Sequence, residues 1–288
     1  MKKDTKHLRA DIVNQSLAYI YSYIDTNITL EELAKLNSVS KYHFHRIFKE
    51  ETGENLFDRI SSIRLQKAAN LLITNRYSTI SEIAQMCGYS SHSSFIKAFK
   101  QRFSYTPTQW KKGAYLSFSK KNVTLEEQIN DDFFQVEPTI KVVPKRTCAY
   151  IRHKGYDPSV AKTWQRLMAF AYERELDSSV QIGGFHDNPV ITPYNTCQYV
   201  AAFEVSKDFE PTNSISKIDI QESLCAIFHY EGVYGDVVKL MVYIYHIWLP
   251  SSGYEAKTLP PYAIYHKNHF LDNNKSFIVD FHIPIRVV

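Results

Sequence analysis

The fold is decided by the stretch TLEELAKLNSVSKYHFHRIFKEETG, residues 29 to 53, which has a second copy in TISEIAQMCGYSSHSSFIKAFKQRF, residues 79 to 103. Thr29 and Thr79 open the two copies, 50 residues apart. In each copy a threonine that can cap a helix precedes a short run with apolar residues at helical spacing. A few turn residues follow, and then a second run with apolar residues at helical spacing. A short helix, a tight turn and a longer helix form a helix-turn-helix, so the sequence predicts two such units in tandem.

One long helix is predicted between the two copies. Asn55 is a suitable N-cap, and the apolar stripe that follows consists of Leu56, Ile60, Ile63, Ala68, Leu71 and Leu72. A helix from Asn55 to Thr74 spans about 30 Å. Two helices that read one face of B-DNA lie about 34 Å apart, so this helix has the length of a spacer between two DNA-reading helices.

The second helix of each unit has a polar face that periodicity predicts to be exposed. In the first copy this face holds Lys41, Tyr42, His45, Arg46 and Lys49, and in the second copy it holds His92, Ser93, Lys97 and Lys100. Arginine can bridge O6 and N7 of guanine, and lysine suits phosphates. Simple solvation explains a polar face on one helix, but the same face on both copies favours DNA binding.

Charge is divided unevenly along the 288 residues, whose length favours two domains. Residues 1 to 115 contain 17 Lys+Arg against 10 Asp+Glu, a net +7, and the remainder contains 17 against 20, a net −3. A polyanionic partner is therefore expected for the N-terminal half alone.

Cysteine spacing and hydropathy argue against several protein classes. The four cysteines have neither CxxC nor zinc-finger spacing, so we expect buried thiols in a reducing cytoplasm. The longest apolar stretch, from Leu240, is too short for a bilayer and contains His246. We expect a cytoplasmic protein without a membrane partner.

Proline and glycine usage changes between the halves, because ten of the eleven prolines lie at or beyond residue 138. The motif CAYIRHKG, from Cys148, recurs as CAIFHYEG from Cys225, and each copy is followed by a helical and then an extended pattern. The predicted fold is an all-α tandem helix-turn-helix domain followed by an α+β domain of two βαββ repeats with a cleft between them. We expect domains at 1–112 and 135–288, joined by a polar linker at 113–134.

The N-terminal half resembles the AraC/XylS class of bacterial transcription factors. The motifs that carry the resemblance are SKYHFHRIFKEETG, RLQKAANLL, EIAQMCGYS and SSFIKAFKQRFSYTPTQW, within residues 8 to 112. The resemblance implies that Tyr42, His45 and Arg46, and then His92, Ser93 and Lys97, contact bases in consecutive major grooves of promoter DNA. It also implies regulation of transcription, with RNA polymerase as a candidate partner. The DNA-binding domain comes first, as in Rob-like members.

The C-terminal half resembles the GyrI-like effector-binding domain over roughly residues 136 to 288. The duplicated CA…G motif, WLPSSGY (Trp248 to Tyr254) and the closing IPI carry this resemblance. It implies an aromatic pocket for a small-molecule effector, with candidates Tyr150, Trp164, Phe185, Tyr230, Trp248, Tyr262 and Tyr265. Each of these residues is an equally good candidate for the core.

The pocket lacks one feature that members binding organic cations have. They place a glutamate in a Phe/Tyr-Glu-x-Tyr pattern, where this chain has Tyr262-Ala263-Ile264-Tyr265. A buried carboxylate persists chiefly when a cation compensates it, so its absence favours a neutral aromatic or amphipathic ligand. Glu231 and Asp280 are alternative acids, although each fits a surface position better.

Enzyme chemistry has weak support in the sequence. His266 and His269 with Asp272 lie in an expected turn, and no Ser-His-Asp signature, phosphate loop or zinc-protease motif occurs. We therefore expect no catalytic residue, metal or cofactor. The alternatives are a C-terminal small-molecule hydrolase, which rests on analogy, or a protein-docking module.

Overall fold

The computed structural model describes residues 2–119, 136–189, 191–212 and 215–288, and residues 120–134 of the expected linker lie outside these ranges. The N-terminal part of the described chain is helical: α1 (Lys2–Ser22), α2 (Leu30–Leu36), α3 (Lys41–Thr52), α4 (Leu56–Thr74), α5 (Ile80–Met86), α6 (His92–Phe103), α7 (Pro107–Gln109) and α8 (Tyr115–Ser119). A π-helical turn, Trp110–Ala114, joins α7 to α8. The first residues of the expected linker therefore continue the helical part.

Side-chain caps begin the helices of both helix-turn-helix units and the spacer between them. The side chain of each cap accepts a hydrogen bond from a backbone N–H in the first turn, which stabilises a helix start by about 1 kcal/mol. These caps are Thr29, Ser40, Asn55, Thr79 and Ser91. The predicted helices and the caps Thr29, Asn55 and Thr79 are confirmed.

The two helix-turn-helix units have different cores. In the first unit, Phe44 and Phe48 pack with α1 in a cluster confined to residues 12–63. In the second, Phe95 packs against Phe99 and Phe99 against Trp110, and their cluster continues into the C-terminal part of the chain. The second unit and the C-terminal domain thus share one continuous core.

The described C-terminal residues form a nine-stranded antiparallel sheet. Its strands are β1 (Thr139–Val143), β2 (Arg146–Lys154), β3 (Gln181–Phe185), β4 (Gln198–Glu204), β5 (Ser216–Ile220), β6 (Ser223–Val233), β7 (Tyr254–Ala256), β8 (Tyr262–Lys267) and β9 (Ser276–Val287). The order is β1-β6-β9-β8-β3-β4-β2-β5, and β7 pairs with the end of β9. Helix α9 (Val160–Glu173) follows β2, and α10 (Asp236–Tyr243) follows β6 and continues through a π-helical turn, Ile244–Trp248, into α11 (Leu249–Ser251).

The strand order confirms two βαββ repeats and adds an exchange of edge strands. Strand β1 precedes the first repeat but pairs with β6 of the second, and β5 precedes the second repeat but pairs with β2 of the first. The repeats meet where β3 pairs with β8. This exchange ties the repeats into one sheet.

The two faces of the sheet have different neighbours. Ala149 and Ile151 of β2 pack with Trp164 of α9 on one face. Tyr150 points to the other face, because successive strand side chains alternate, and its hydroxyl donates to the carbonyl oxygen of Asn14 in α1 at 3.0 Å. The N-terminal helices therefore cover part of the face that α9 and α10 leave open.

Candidate nucleic-acid interface and ligand cleft

Helix α3 buries one apolar face and exposes the polar face predicted from the sequence. Phe44, Ile47 and Phe48 are buried, whereas Tyr42 is 80% exposed. Lys41, His45, Arg46 and Lys49 are also exposed. Burial of Phe44 and Phe48, whose rings stack with centroids 5.8 Å apart, holds the helix against the core and leaves these polar side chains available.

Neighbouring side chains constrain two of the α3 cations. The ammonium of Lys41 lies 2.9 Å from a carboxylate oxygen of Glu31. A guanidinium nitrogen of Arg46 lies 3.3 Å from Nδ1 of His43, one turn earlier. The contact to Glu31 competes with a phosphate for Lys41, whereas the contact of Arg46 is to an imidazole and not to a carboxylate.

Helix α6 presents the corresponding face of the second unit. His92, Ser93, Lys97 and Lys100 are exposed, opposite the buried Phe95 and Phe99. Nδ1 of His92 lies 3.1 Å from Oγ of Ser81, and the hydroxyls of Ser93 and Ser91 lie 3.0 Å apart. The face is polar and cationic like that of α3, but Lys97 stands at the position that corresponds to Arg46, so this face has no arginine.

The spacer α4 is held to both units. It has 19 residues and therefore spans about 28 Å. Arg64 on α4 donates to the carbonyl oxygens of Ile24, at 3.2 Å, and Thr26, at 2.6 Å, just before the first unit. The same guanidinium lies against Gly88 in the turn of the second unit, where an added Cβ would come within 2.6 Å of it. One side chain thus contacts the segments that orient both units.

A cleft of about 540 Å³ opens between the N-terminal ends of α9 and α10, between the two repeats. Its wall is largely aromatic and aliphatic, with Tyr156, Val160, Phe185, Tyr194, Tyr199, Tyr234, Val237, Met241, Tyr265, His269 and Phe270 among the lining residues. The volume and the apolar lining are those of a small-molecule site.

Polar groups lie at the base of the cleft. The hydroxyls of Tyr199 and Tyr265 are 3.3 Å apart, and the indole N–H of Trp164 donates to Tyr199 at 3.1 Å. Burial lowers the pKa of His269 to about 4, so its imidazole is neutral at pH 7. Its Nδ1 has no hydrogen-bond partner among the described residues. A ligand group that donates or accepts a hydrogen bond can use this imidazole.

The carboxylates at the rim are satisfied within the protein. Asp157 accepts from the backbone N–H of Ser159 at 2.7 Å, and its hydrogen bonds with Ser159 lower its pKa. Asp236 accepts from the backbone N–H of Val233 at 3.0 Å and from Lys239 at 2.9 Å. These acids therefore offer a cationic ligand less attraction than an unpaired buried carboxylate would.

Comparison with known proteins agrees with this geometry. A family model described as "GyrI-like small molecule binding domain" matches residues 136–286. The chain belongs to the GyrI-like family. A helix-turn-helix domain model matches residues 33–113, and this GyrI-like protein carries an AraC-type DNA-binding domain ahead of its small-molecule domain, as its sequence motifs predicted.

Two relatives illustrate how far the similarity reaches. The xylose operon regulatory protein of Escherichia coli K12 is 33% identical over 108 residues, which is 38% of this chain and 27% of that protein. The chain thus covers about a quarter of that relative's length. The F1 operon positive regulatory protein of Yersinia pestis is 26% identical over 269 residues, covering 88% of this chain and 84% of that one. Among solved structures, the C-terminal domain of AraT, a response regulator from Geobacillus stearothermophilus, is 32% identical with a TM-score of 0.34, covering 35% of this chain and 84% of that one.

Two of the seven aromatic residues expected in the effector pocket, Phe185 and Tyr265, line the cleft of the GyrI-like domain. Trp164 lies behind the wall, fully buried, with its ring against the edge of Tyr265. Sequence reasoning missed Tyr156 and Tyr199, although Tyr156 directly follows the Gly155 turn and Tyr199 lies in a predicted strand.

The other four expected residues lie away from the cleft. Tyr150 and Tyr262 are on the opposite face of the sheet, because each occupies the other alternation phase of its strand. Tyr230 packs against Phe277, and Trp248 stacks on Tyr254. Strand phase explains only Tyr150 and Tyr262, because Tyr230 shares the phase of Phe228 on the cleft side of β6 and Trp248 lies in a helical turn.

Ala263 stands where the members that bind organic cations have a glutamate. Ala263 is fully buried in the core and does not line the cleft. The two alternative acids do not line it either, because Glu231 is exposed and Asp280 points to the opposite face, towards His229.

The spacer helix is buried on more sides than its apolar stripe predicted, because the C-terminal domain packs against it. Gln66 of α4 donates to the hydroxyl of Thr192. Asn188 donates to the side-chain oxygen of Asn70 at 2.8 Å. Lys67 is only 9% exposed, and burial lowers its pKa to about 8. This contact connects the GyrI-like domain to the helix that sets the spacing of α3 and α6.

A second contact holds the loop between α4 and α5. The side chain of Asn75 donates to the carbonyl oxygen of Ala256 and accepts from its N–H, both at 3.0 Å. Glu255, also on β7, is fully buried and accepts hydrogen bonds from Tyr77 and Ser78. The short edge strand β7 therefore positions the start of the second helix-turn-helix unit.

Proposed function

We propose that this protein is a DNA-binding transcriptional regulator whose GyrI-like domain senses a small aromatic molecule. The observation that carries the proposal is the pair of equivalent recognition helices, α3 and α6, whose polar faces are exposed while α4 holds them at a fixed separation. The relatives support it, because both are regulatory proteins of operons by name. RNA polymerase is the partner expected of a promoter-bound regulator, and crosslinking on promoter DNA tests it.

Base reading and phosphate binding are assigned to different side chains. Arg46, Tyr42 and His45 read bases from α3, and Lys41 and Lys49 contact phosphates. On α6, His92 and Ser93 reach bases, Lys97 reaches a base or a phosphate, and Lys100 contacts a phosphate. Arg46 on α3 can bridge O6 and N7 of guanine, and the corresponding face of α6 has no arginine. The first unit therefore contributes more of the discrimination between DNA sequences.

Selection of bound fragments from genomic DNA identifies the operator, and anisotropy titrations on it test these roles. Arg46→Ala should weaken operator binding by about 1 to 3 kcal/mol and relax one base position. Lys49→Ala should weaken operator and scrambled DNA alike and reduce the salt dependence by about one counterion. Lys162→Ala, an exposed cation on α9, is the matched control and should change neither. Equal effects of Arg46→Ala and Lys49→Ala on both DNAs contradict this division of roles.

The effector that the cleft favours is a neutral aromatic molecule with one hydrogen-bonding group. Aromatic walls supply most of the contact area, while Tyr199, Tyr265 and the neutral His269 supply polar partners. Calorimetry with a naphthol and with tetraphenylphosphonium as probes tests this preference. Tighter binding of the cation contradicts the ligand class, and loss of naphthol binding in Phe185→Ala with retention in Tyr230→Ala supports the placement.

Phe185 offers a route from the cleft to the DNA-binding half. It lines the cleft, and it also lines a small cavity that borders Gln66, Lys67 and Asn70 on α4. A ligand that displaces Phe185 therefore acts on the segment that hydrogen-bonds to the spacer. Coupling between sites is commonly worth about 1 to 3 kcal/mol, and we expect Asn70→Ala to reduce the ligand-induced change in DNA affinity without abolishing binding of either partner.

One arrangement favours a hydrolase as the second candidate function. Oγ of Ser159 lies 3.1 Å from Nε2 of His153, and Nδ1 of His153 lies 2.8 Å from the hydroxyl of Thr163. A nucleophile, a base and an orienting group in this order are the geometry of covalent catalysis. Ser159→Ala separates the candidates, because it abolishes turnover of a nitrophenyl ester by a hydrolase and leaves ligand-dependent DNA binding by a sensor intact.

We also propose that the protein acts in the cytoplasm and that its two domains span residues 1–112 and 135–288. All four cysteines are unpaired and buried, which fits a reducing cytoplasm. No helix in the described ranges has the length and apolarity that a membrane span requires. The limits 1–112 and 135–288 are tested by expressing each part and comparing its unfolding with that of the full chain.

A further inference from the structure

Two histidines and an aspartate meet on the face of the sheet opposite the cleft. His229 lies on β6, Asp280 on β9 and His266 on β8, and these three strands are neighbours in the order β6-β9-β8. The residues are distant in sequence and come together only through strand pairing. His229 and His266 are exposed, and Asp280 is half-buried.

Strand register places the three side chains on one face. His229 is directly opposite Asp280 in the β6–β9 pair, and Asp280 is opposite Ile264 in the β9–β8 pair. His266 follows Ile264 by two residues and sits where the register shifts, between Tyr265 and Lys267. His266 shares the face of Ile264 by strand alternation, and its imidazole reaches Asp280.

The distances show that the three groups already interact. Oδ1 of Asp280 lies 2.8 Å from Nδ1 of His229, and Oδ2 lies 2.9 Å from Nε2 of His266. One donor atom from each residue lies within 4.8 Å of the other two. Ligands around a tetrahedral zinc ion are about 3.3 Å apart, from metal–ligand bonds of about 2.0 to 2.1 Å, so modest rotations of exposed side chains suffice to enclose an ion.

We propose that His229, His266 and Asp280 bind a divalent late first-row transition metal ion, of which Zn²⁺ is the best match. Two imidazoles and one carboxylate are a frequent zinc ligand set, and imidazole favours zinc, copper or nickel over magnesium and calcium. Three protein ligands leave a coordination position for water or an exogenous ligand.

Nearby charges favour a cation at this position. Glu231 lies two residues beyond His229 on β6, on the same face, and adds negative charge. The ammonium of Lys267 is directed to Ser276, at 2.6 Å, and to Asp272, at 3.4 Å. The nearest cation on β8 is therefore partnered outside the cluster.

Metal binding would also stiffen the sheet behind the ligand cleft. The ion would crosslink β6, β9 and β8, and Tyr265, adjacent to His266, lines the cleft on the other face. The site itself depends on neither DNA binding nor the effector, so it can be tested on the 288-residue chain without an identified operator.

Zinc titration of the metal-stripped 288-residue chain against a chromophoric chelator tests the proposal. We expect one equivalent of Zn²⁺ per chain and visible absorption bands of tetrahedral Co²⁺ on substitution with cobalt. His229→Ala, His266→Ala and Asp280→Asn should each weaken zinc binding about tenfold or more, since even outer contacts of metal sites contribute tenfold to a hundredfold. Circular dichroism checks that these surface variants are folded.

His43→Ala is the matched control, because it removes a histidine of α3 outside the cluster and should leave zinc affinity unchanged. Absence of stoichiometric zinc binding by the wild-type protein overturns the proposal. So does a triple variant that takes up as much zinc as the wild type, since that zinc would be bound adventitiously elsewhere.

Discussion

Removal of the Glu255 carboxylate should destabilise the contact between the two domains. Glu255 is fully buried and accepts from the backbone N–H groups of Tyr77, at 2.9 Å, and Ser78, at 2.6 Å. It also accepts from the hydroxyl of Ser78 at 2.5 Å and from Arg286 at 2.7 Å. Glu255→Ala leaves two backbone donors without partners, at about 1 to 3 kcal/mol each, while the partly exposed Arg286 can turn to water. We expect a loss of about 2 to 6 kcal/mol in the free energy of unfolding.

Urea and thermal unfolding measure this loss, and the shape of the transition locates it. Because Glu255 holds the loop that begins the second helix-turn-helix unit, the variant should lose helical signal before the sheet unfolds. Glu255→Gln keeps an acceptor oxygen and should lose less, and Glu222→Gln, an exposed glutamate of the same domain, is the control. The reasoning is refuted if Glu255→Ala changes stability by no more than about 0.5 kcal/mol, the range of surface substitutions.

The same carboxylate predicts a pH dependence. Burial raises the pKa of Glu255, but hydrogen bonds from Ser78 and Arg286 outweigh burial and hold the pKa below its usual value. Its stabilisation is therefore present above the unfolded pKa of about 4.3 and is lost as pH falls through the lower folded value. Between pH 7 and pH 3, wild type should lose more stability than Glu255→Gln, and parallel pH profiles would contradict this assignment.

Three further perturbations test other parts of the structure. Gly88→Ala should destabilise the protein and weaken operator binding in gel shifts, because Gly88 has φ +77° and an added Cβ would lie 2.6 Å from Arg64. A variant with the melting temperature of the wild type would contradict the role of this turn. Gly183→Ala should abolish calorimetric binding of the naphthol, because its Cβ would lie 2.5 Å from the Tyr199 hydroxyl at the cleft base; unchanged affinity would place the ligand elsewhere. Burial lowers the pKa of Lys67 to about 8, below the value of about 10.4 for lysine in the unfolded chain. Between these two pH values the unfolded chain binds more protons than the folded chain, so the free energy of unfolding rises with pH. Lys67→Met should therefore exceed wild-type stability by more at pH 7 than at pH 10 in denaturant titrations, and a constant difference would refute the assignment.

The helices and their exposed faces could be predicted because the signals are local. Thr29 and Thr79 cap helices that begin within one residue of them, and the spacing of Phe44 and Phe48 identifies the buried side of α3 without knowledge of its neighbours. The ligand cleft was predicted only in part. Phe185 and Tyr150 are both aromatic residues of strands, and nothing nearby in the chain indicates which of them faces α9 and α10.

By itself the sequence determined the two helix-turn-helix units, the spacer, the duplicated βαββ plan and the polar faces of α3 and α6, because helix and strand periodicities are written in residues close together in the chain. Tertiary structure alone decided the exchange of β1 and β5, the burial of Lys67 and Glu255 between domains, and the meeting of His229, His266 and Asp280. Each of these depends on which distant strands and helices pack together. Such pairings are selected by the free energy of the whole core and not by any short stretch of chain.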